Sequence, residues 1–100
     1  MKYIGEGLLW RQGPPDIYGQ PTFGTPEVIK HRWERRAGMF INGQGRQETY
    51  NSRVYINTVP NTGDRVTETT SGSLDCSYEI KDVRQIFSIS GKKNEVRVLL

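Results

Sequence analysis

The chain has very little of the chemistry that enzymes and metal sites need. Among its 100 residues there is one cysteine and one histidine. A single cysteine excludes an internal disulfide and a cysteine-based metal site, and it suits a reducing compartment. The one histidine, His31, has no further ligands at metal spacing in the sequence. We therefore expect a structural or surface role for His31 and no metal site.

Long hydrophobic runs are also missing. No segment approaches the roughly 18 consecutive apolar residues that a membrane span needs, and the first ten residues lack an apolar stretch of signal-peptide length. We expect a soluble protein that is made in a cytoplasm and does not contact a membrane. The formal net charge of +3 permits contact with a polyanion but does not demonstrate it.

No catalytic pattern emerges from the residues that remain. The aspartates are scattered through turns, and Cys76 has no catalytic histidine partner nearby in the sequence. The run Gly43-Gln44-Gly45 lacks the third glycine and the Lys-Ser/Thr ending of a phosphate-binding loop. The sequence therefore predicts no catalytic residue and no cofactor, and it indicates that the protein is not an enzyme.

What the chain does contain is a regular succession of short strand patterns and turns. Apolar residues make up 34% of it, and they recur at alternate positions without a helical period. One hundred residues are enough for one core. We predict a single all-β domain over residues 1–100, a small antiparallel β-barrel or sandwich of six to seven short strands. The predicted strands are residues 8–10, 27–36, 47–57, 65–70, 78–83, 84–90 and 96–100, with a turn at 91–95.

Two longer connections stand out between these strands. Residues 12–26 hold four of the five prolines and three glycines, which predicts a loop. We expect its larger apolar residues, Ile17, Tyr18 and Phe23, to pin it onto the barrel wall. Residues 37–46 follow a basic strand and combine three glycines with the apolar centre Met39-Phe40-Ile41. This second connection is too long for a tight hairpin, so we interpret it as a flexible, functional loop.

The order of several segments is familiar from one protein family. These segments are residues 16–23 (DIYGQPTF), 33–36 (WERR), 63–66 (GDRV) and 78–84 (YEIKDVR). Together they span most of residues 8–100, and their order resembles the head closure proteins of tailed phages, also called stopper or head–tail joining proteins. No single segment is diagnostic of the family; the ordered set carries the resemblance.

The resemblance implies a structural role in the neck of a virion that is assembled in a bacterial cytoplasm. Family members are small β-barrels that form a ring, usually a hexamer, below the portal and its adaptor. The ring surrounds the channel for double-stranded DNA, retains the packaged genome and offers a surface to the tail terminator or tail tube protein.

In the family, the loop between the two long strands reaches toward the channel or a neighbouring ring. The matching gate or docking residues here are Gly38, Met39, Phe40, Ile41, Asn42, Gly43, Gln44, Gly45 and Arg46. The basic residues Lys30, Arg32, Arg35, Arg36 and Arg46 are candidates for contact with DNA or with the adaptor. Candidate interface residues are Trp10, Tyr18, Phe23 and Trp33. Many relatives have a more acidic channel side, so the basic strand leaves open which of the two partners it meets.

Two other functions are compatible with the same sequence. The chain is also compatible with a monomeric barrel that binds single-stranded nucleic acid, with Trp33, Tyr55 and nearby arginines as a stacking platform. A tail completion or tail terminator protein is the other alternative, although those proteins are generally longer and carry helices on a sheet.

Overall fold

The computed structural model describes residues 3–87 and 94–100 and confirms the all-β class. Eleven strands follow one another, with one turn of 3-10 helix at Leu74–Cys76 and no α-helix in the described part. The strands are β1 Gly5–Trp10, β2 Gln12–Gly13, β3 Thr22–Phe23, β4 Glu27–Glu34, β5 Gly38–Ile41, β6 Gln47–Tyr50, β7 Arg53–Ile56, β8 Arg65–Val66, β9 Tyr78–Glu79, β10 Asp82–Phe87 and β11 Asn94–Leu99. Within residues 3–87 and 94–100 no helix is long and apolar enough to cross a membrane.

Seven of these strands form one antiparallel sheet that curls into a barrel-like shape. Its order is β10-β11-β7-β4-β1-β8-β9. The two edge strands, β9 and β10, belong to one segment of chain. Within that segment Ile80 N donates to Asp64 O at 2.8 Å, and the next residue, Lys81, donates its backbone N–H to Leu99 O at 2.8 Å. One bent segment thus borders both edges of the sheet, which leaves few unpaired backbone groups.

The core lies inside this curled sheet because apolar and polar residues alternate along the strands. Val54 and Ile56 are fully buried in β7, whereas Arg53 and Tyr55, which alternate with them, are only partly covered. This period of two is the geometry of a half-buried strand. The buried cluster consists of Leu9, Ile29, Val54, Ile56, Val66, Ile80, Val96, Val98 and Leu100.

Several predicted strands are shorter than expected. Residues 47–57 form two strands, β6 and β7, because the chain changes from one hairpin partner to another at residues 51–52. Only Arg65 and Val66 of residues 65–70 are paired as a strand. The predicted strand 78–83 is interrupted at residues 80–81, where the chain passes between the sheet edges. The predicted turn at 91–95 and the end of the predicted strand 84–90 fall largely on residues 88–93, outside the described residues.

A buried carboxylate fixes the turn that precedes β8. Asp64 is 1% exposed, and its Oδ1 accepts a hydrogen bond from Gln12 N at 2.8 Å, while its Oδ2 accepts one from Asn61 N at 2.9 Å. Gly63 has φ +97°, a conformation that glycine adopts without strain. Asp64 thus caps backbone donors in its own turn and ties the start of β2 to that turn.

Candidate functional site

Residues 37–46 contain a strand and the tip of a hairpin, where the sequence predicted a loop. Gly38 pairs with Tyr50 and Ile41 with Gln47, so β5 and β6 make a two-stranded ribbon. We call residues 38–50 the second hairpin. The sequence-based loop prediction was wrong here because Asn42 and Gly45 at the tip turn the chain in a few residues.

The tip of the second hairpin is held by a single asparagine side chain. Asn42 Oδ1 accepts hydrogen bonds from Gln44 N at 2.9 Å and from Arg46 N at 3.0 Å. The backbone N–H of Asn42 donates to Arg46 O at 2.8 Å. Gly45 has φ +80°, which a residue with a Cβ adopts only with strain. These contacts close the turn with three hydrogen bonds.

The apolar centre of the second hairpin is divided by strand alternation. Met39 and Ile41 point to one side and are 61% and 60% exposed. Phe40 points to the other side, is buried, and packs against Tyr50 with the ring centroids 6.2 Å apart. The three residues therefore differ in their surroundings: Phe40 is covered and packs within the ribbon, while Met39 and Ile41 are exposed to solvent.

The second hairpin is docked on the barrel. Lys81 Nζ donates to Thr49 O at 2.9 Å. A shallow pocket separates the tip residues from Lys81 and Asp82 on the adjoining bent segment. At the base, one residue more lies between Glu34 and Gly38 than on the facing side between Tyr50 and Arg53. This bulge re-aims the ribbon relative to β4 and β7.

Another ribbon of the same design lies earlier in the chain, within residues 12–26. β2 and β3 pair with Gln12 opposite Phe23, and Asp16 closes the tip by accepting hydrogen bonds from Tyr18 N and Gln20 N at 2.8 and 2.9 Å. Gly19 has φ +76°. We call residues 12–23 the first hairpin.

The first hairpin exposes residues that were expected to anchor it. Ile17 is 91% exposed and Tyr18 81%, so the prediction that they pin the loop onto the barrel was wrong; the Asp16 turn aims both outward. Phe23 is half-buried. Trp10, the other interface candidate near this ribbon, is only 7% exposed. Trp10 therefore lies in the interior and offers little surface to a partner.

The five basic candidates do not form one patch. Lys30 and Arg32 lie on the outward face of β4, whose other face carries the buried Ile29. Arg35 pairs with Glu68 and lies over the Trp33 ring at 6.0 Å from its centroid. Arg36 follows at the bulge and Arg46 at the tip of the second hairpin; no ion pair of either is found within residues 3–87 and 94–100.

Trp33 and Tyr55 lie on opposite faces of the sheet. Trp33 is opposite Val54, and Tyr55 is opposite Arg32. The stacking platform that combines Trp33 with Tyr55 is therefore not assembled. Trp33 instead packs against the core and contacts His31 and Tyr78, with centroid distances of 5.4 and 5.6 Å.

His31 is a structural residue. It is 4% exposed, its Nε2 is 2.7 Å from Glu68 O, and Gly5 packs so closely that a Cβ there would meet the ring at 2.7 Å. A shallow cleft of about 390 Å³ lies beside it, bordered also by Trp33 and Glu68. Among the residues that the structure describes, no three His, Cys, Asp or Glu side chains gather into a metal site. Cys76 is exposed with a free thiol.

Two features on the side of the main sheet that points away from the core were not singled out from the sequence. Arg53 donates to Glu34 Oε2 at 3.1 Å, and this hydrogen bond raises the pKa of the Arg53 guanidinium above its ordinary value. Next to this pair, Tyr55, Arg97 and Arg84 lie side by side on three neighbouring strands. The alternation of β7, β10 and β11 places them outward, but their alignment depends on the register between strands, which a single sequence does not supply.

Comparison of the chain with protein-family models, with curated proteins and with solved structures finds no match.

Proposed function

We propose that this chain is a head closure (stopper) subunit of a tailed-phage neck. In this proposal copies form a ring, with six as the expected number, below the portal and adaptor. The ring retains packaged double-stranded DNA in its channel and presents a surface to the tail terminator or tail tube protein. The ordered sequence resemblance supports the proposal, and so does a small curled β-sheet that carries two protruding ribbons.

The observation that carries the proposal is the fixed outward display of Met39 and Ile41. Both side chains are about 60% exposed, on a ribbon whose other face carries the buried Phe40. Singly exposed apolar residues are common on soluble proteins, but here two adjacent ones share a ribbon that is closed at its tip and docked on the barrel. Apolar surface presented in this way is typical of a contact with another protein.

The ribbon serves best as a docking element between subunits or between rings. In a ring, Met39 and Ile41 of each copy meet a neighbouring copy or the adaptor, and their apolar surface is removed from water. The first hairpin adds a second exposed pair, Ile17 and Tyr18, at a tip that is equally well ordered by hydrogen bonds. Tyrosine is a frequent anchor in protein interfaces.

The experiment replaces Met39 and Ile41 together by glutamate. Exposed positions tolerate charge, so the variant Met39→Glu/Ile41→Glu should fold and melt like the wild type. We expect it to fail to form rings with the portal and adaptor proteins of the same genome, measured by sedimentation and electron microscopy. It should also give few infectious particles when it complements a phage that lacks the gene.

The matched control is Ile4→Glu/Val28→Glu, which introduces the same two charges at exposed apolar positions outside both hairpins (73% and 62% exposed). Normal rings and normal infectivity with this control, together with their loss in the hairpin variant, support the proposal. A wild-type chain that stays monomeric in the presence of portal, adaptor and tail proteins refutes it. If the hairpin variant gives normal particles, the ribbon is not part of the interface.

A further inference from the structure

A row of outward-pointing side chains crosses four adjacent strands of the main sheet. Arg32 in β4 is directly opposite Tyr55 in β7, Tyr55 is opposite Arg97 in β11, and Arg97 is opposite Arg84 in β10. We call these four residues the arginine row. Neighbouring strands lie about 4.8 Å apart, so the row is about 14 Å long.

The outward direction of each member follows from the burial of its chain neighbours. Val54 and Ile56 on either side of Tyr55 are buried, as are Val96 and Val98 on either side of Arg97. Arg32 and Arg84 are largely accessible, with 47% and 53% of the side-chain surface exposed. The row thus presents three guanidinium groups and one phenol on a single surface.

This arrangement is electrostatically unfavourable for the isolated chain. Arg97 and Arg84 are directly opposite each other, and like charges in that position repel. Arg97 has no ion pair within the described residues, and its buried Nε has no hydrogen-bond partner there. A guanidinium that is half-buried, unpaired and next to another arginine gains much from a bound anion.

Acidic side chains on the same surface contact the two ends of the row. Glu34 lies two residues after Arg32 and binds Arg53 at 3.1 Å, and Asp82 lies two residues before Arg84 and binds it at 3.1 Å. Arg32 lies 3.7 Å from Glu34, a weaker contact at the edge of the row. Arg97, in the interior of the row, lies two residues after Glu95 on β11 and has no ion pair within the described residues.

We infer that the arginine row binds the sugar–phosphate backbone of nucleic acid, with duplex DNA as the favoured form. A DNA strand carries one phosphate per about 3.4 Å of helix axis, so a row of about 14 Å lies opposite roughly four phosphates. Arginine binds phosphate oxygens with two parallel hydrogen bonds, and tyrosine hydroxyls commonly contact the backbone as well. The outer surface of a curled sheet is suited to following a backbone and does not enter a groove, so no base sequence is read. The inference does not depend on ring formation.

The test is binding of a 24-base-pair duplex of mixed sequence, followed by fluorescence anisotropy from 50 to 200 mM salt. Three phosphate contacts give a slope of log affinity against log salt of about −2.7, a loss of about 40-fold over that range. In Arg32→Gln/Arg84→Gln only Arg97 remains, and we expect a slope of about −0.9 and a loss of about 3.5-fold.

The comparison variant is Arg36→Gln/Arg46→Gln, which removes the same charge from two exposed positions outside the row. The sequence offered both residues as DNA-contact candidates, so this variant compares the row with the alternative basic surface. The inference stands if the row variant loses about 1.8 from the slope and the comparison variant loses less than half of that. Equal losses in both variants mean that charge alone attracts the DNA, and they overturn the inference. A wild-type chain that fails to bind the duplex at 50 mM salt overturns it as well.

Two further measurements keep the result interpretable. Thermal melting of each variant checks folding, and if the double variant is unfolded, the single variant Arg84→Gln should still reduce the slope by about 0.9. Competition with polyglutamate and with single-stranded DNA compares anion types. Displacement of the duplex by polyglutamate at equal charge concentration indicates an acidic protein partner and overturns the assignment to nucleic acid; displacement by single-stranded DNA alone supports a backbone contact.

Discussion

Replacing Asp64 by alanine removes a buried carboxylate that holds two distant segments together. Its two oxygens accept the backbone N–H groups of Gln12 and Asn61 at 2.8 and 2.9 Å. Hydrogen bonds to a charged group contribute about 1.5–3 kcal/mol each, and their loss also leaves two covered donors without partners. Burying the carboxylate itself costs free energy, which offsets part of that sum. We expect a net loss of about 3 kcal/mol in the free energy of unfolding for Asp64→Ala.

The loss is measured by urea denaturation, followed through the fluorescence of Trp10 and Trp33. A change of about 3 kcal/mol is a large share of the 5–15 kcal/mol that stabilises a typical domain, and it lowers the Tm by about 12–24 °C. Asp75→Ala is the matched control, because Asp75 is exposed in the 3-10 turn and should change stability by less than about 0.5 kcal/mol. If Asp64→Ala stays within about 1 kcal/mol of that control, the carboxylate does not hold the two segments and the reasoning fails.

Two paired substitutions test the hairpin tip and the core by the same denaturation assay. Gly45→Ala should lower the free energy of unfolding by about 1–2 kcal/mol because Gly45 has φ +80°. Gly43 has open space around it, so Gly43→Ala should change stability by less than about 0.5 kcal/mol. Equal effects would mean that the tip is not a fixed turn. Leu9→Ala removes a fully buried side chain and should cost about 2–5 kcal/mol, whereas Ile17→Ala, at 91% exposure, should be within about 0.5 kcal/mol of wild type. A stability loss at Ile17 comparable to that at Leu9 would show that the first hairpin is packed and not displayed.

The all-β class was predictable because apolar and polar residues alternate along the strand sequences. Spacing alone predicts burial for Val54 and Ile56, which are separated by Tyr55. The same holds for Val96 and Val98, which are separated by Arg97. The turn role of Asp64 was predictable for a similar reason, since an aspartate after glycine satisfies backbone donors locally. These features depend on residues that are close together in the sequence.

The two hairpins were missed because proline and glycine content outweighed a more specific signal. Asp16 and Asn42 are each followed three residues later by a glycine, and in both cases the side chain caps the turn while the glycine takes positive φ. An Asx residue at that spacing from a glycine, flanked by short apolar stretches, is a hairpin signal. Applied to residues 37–46, it would have separated Phe40 from Met39 and Ile41.

The arginine row was beyond sequence reasoning for a different reason. Its members are scattered from residue 32 to residue 97, and a shift of one residue in any strand pairing would move a member to the other face. The candidates for contact with DNA or the adaptor were instead taken from the sequence as Lys30, Arg32, Arg35, Arg36 and Arg46. In the structure they divide between an outward face, a salt bridge to Glu68, the bulge before the second hairpin and the hairpin tip.

The contacts of the second hairpin bear on whether it acts as a gate or as a docking element. Swinging the ribbon away from the barrel breaks the hydrogen bond from Lys81 to Thr49, which costs about 1 kcal/mol. The docked state is therefore the more populated of the two. A partner can populate the released state only by binding it correspondingly more tightly than the docked state. Met39 and Ile41, in contrast, are accessible without any movement. We therefore infer that docking through these two side chains is the primary role of the ribbon and that any gating follows from the partner it binds.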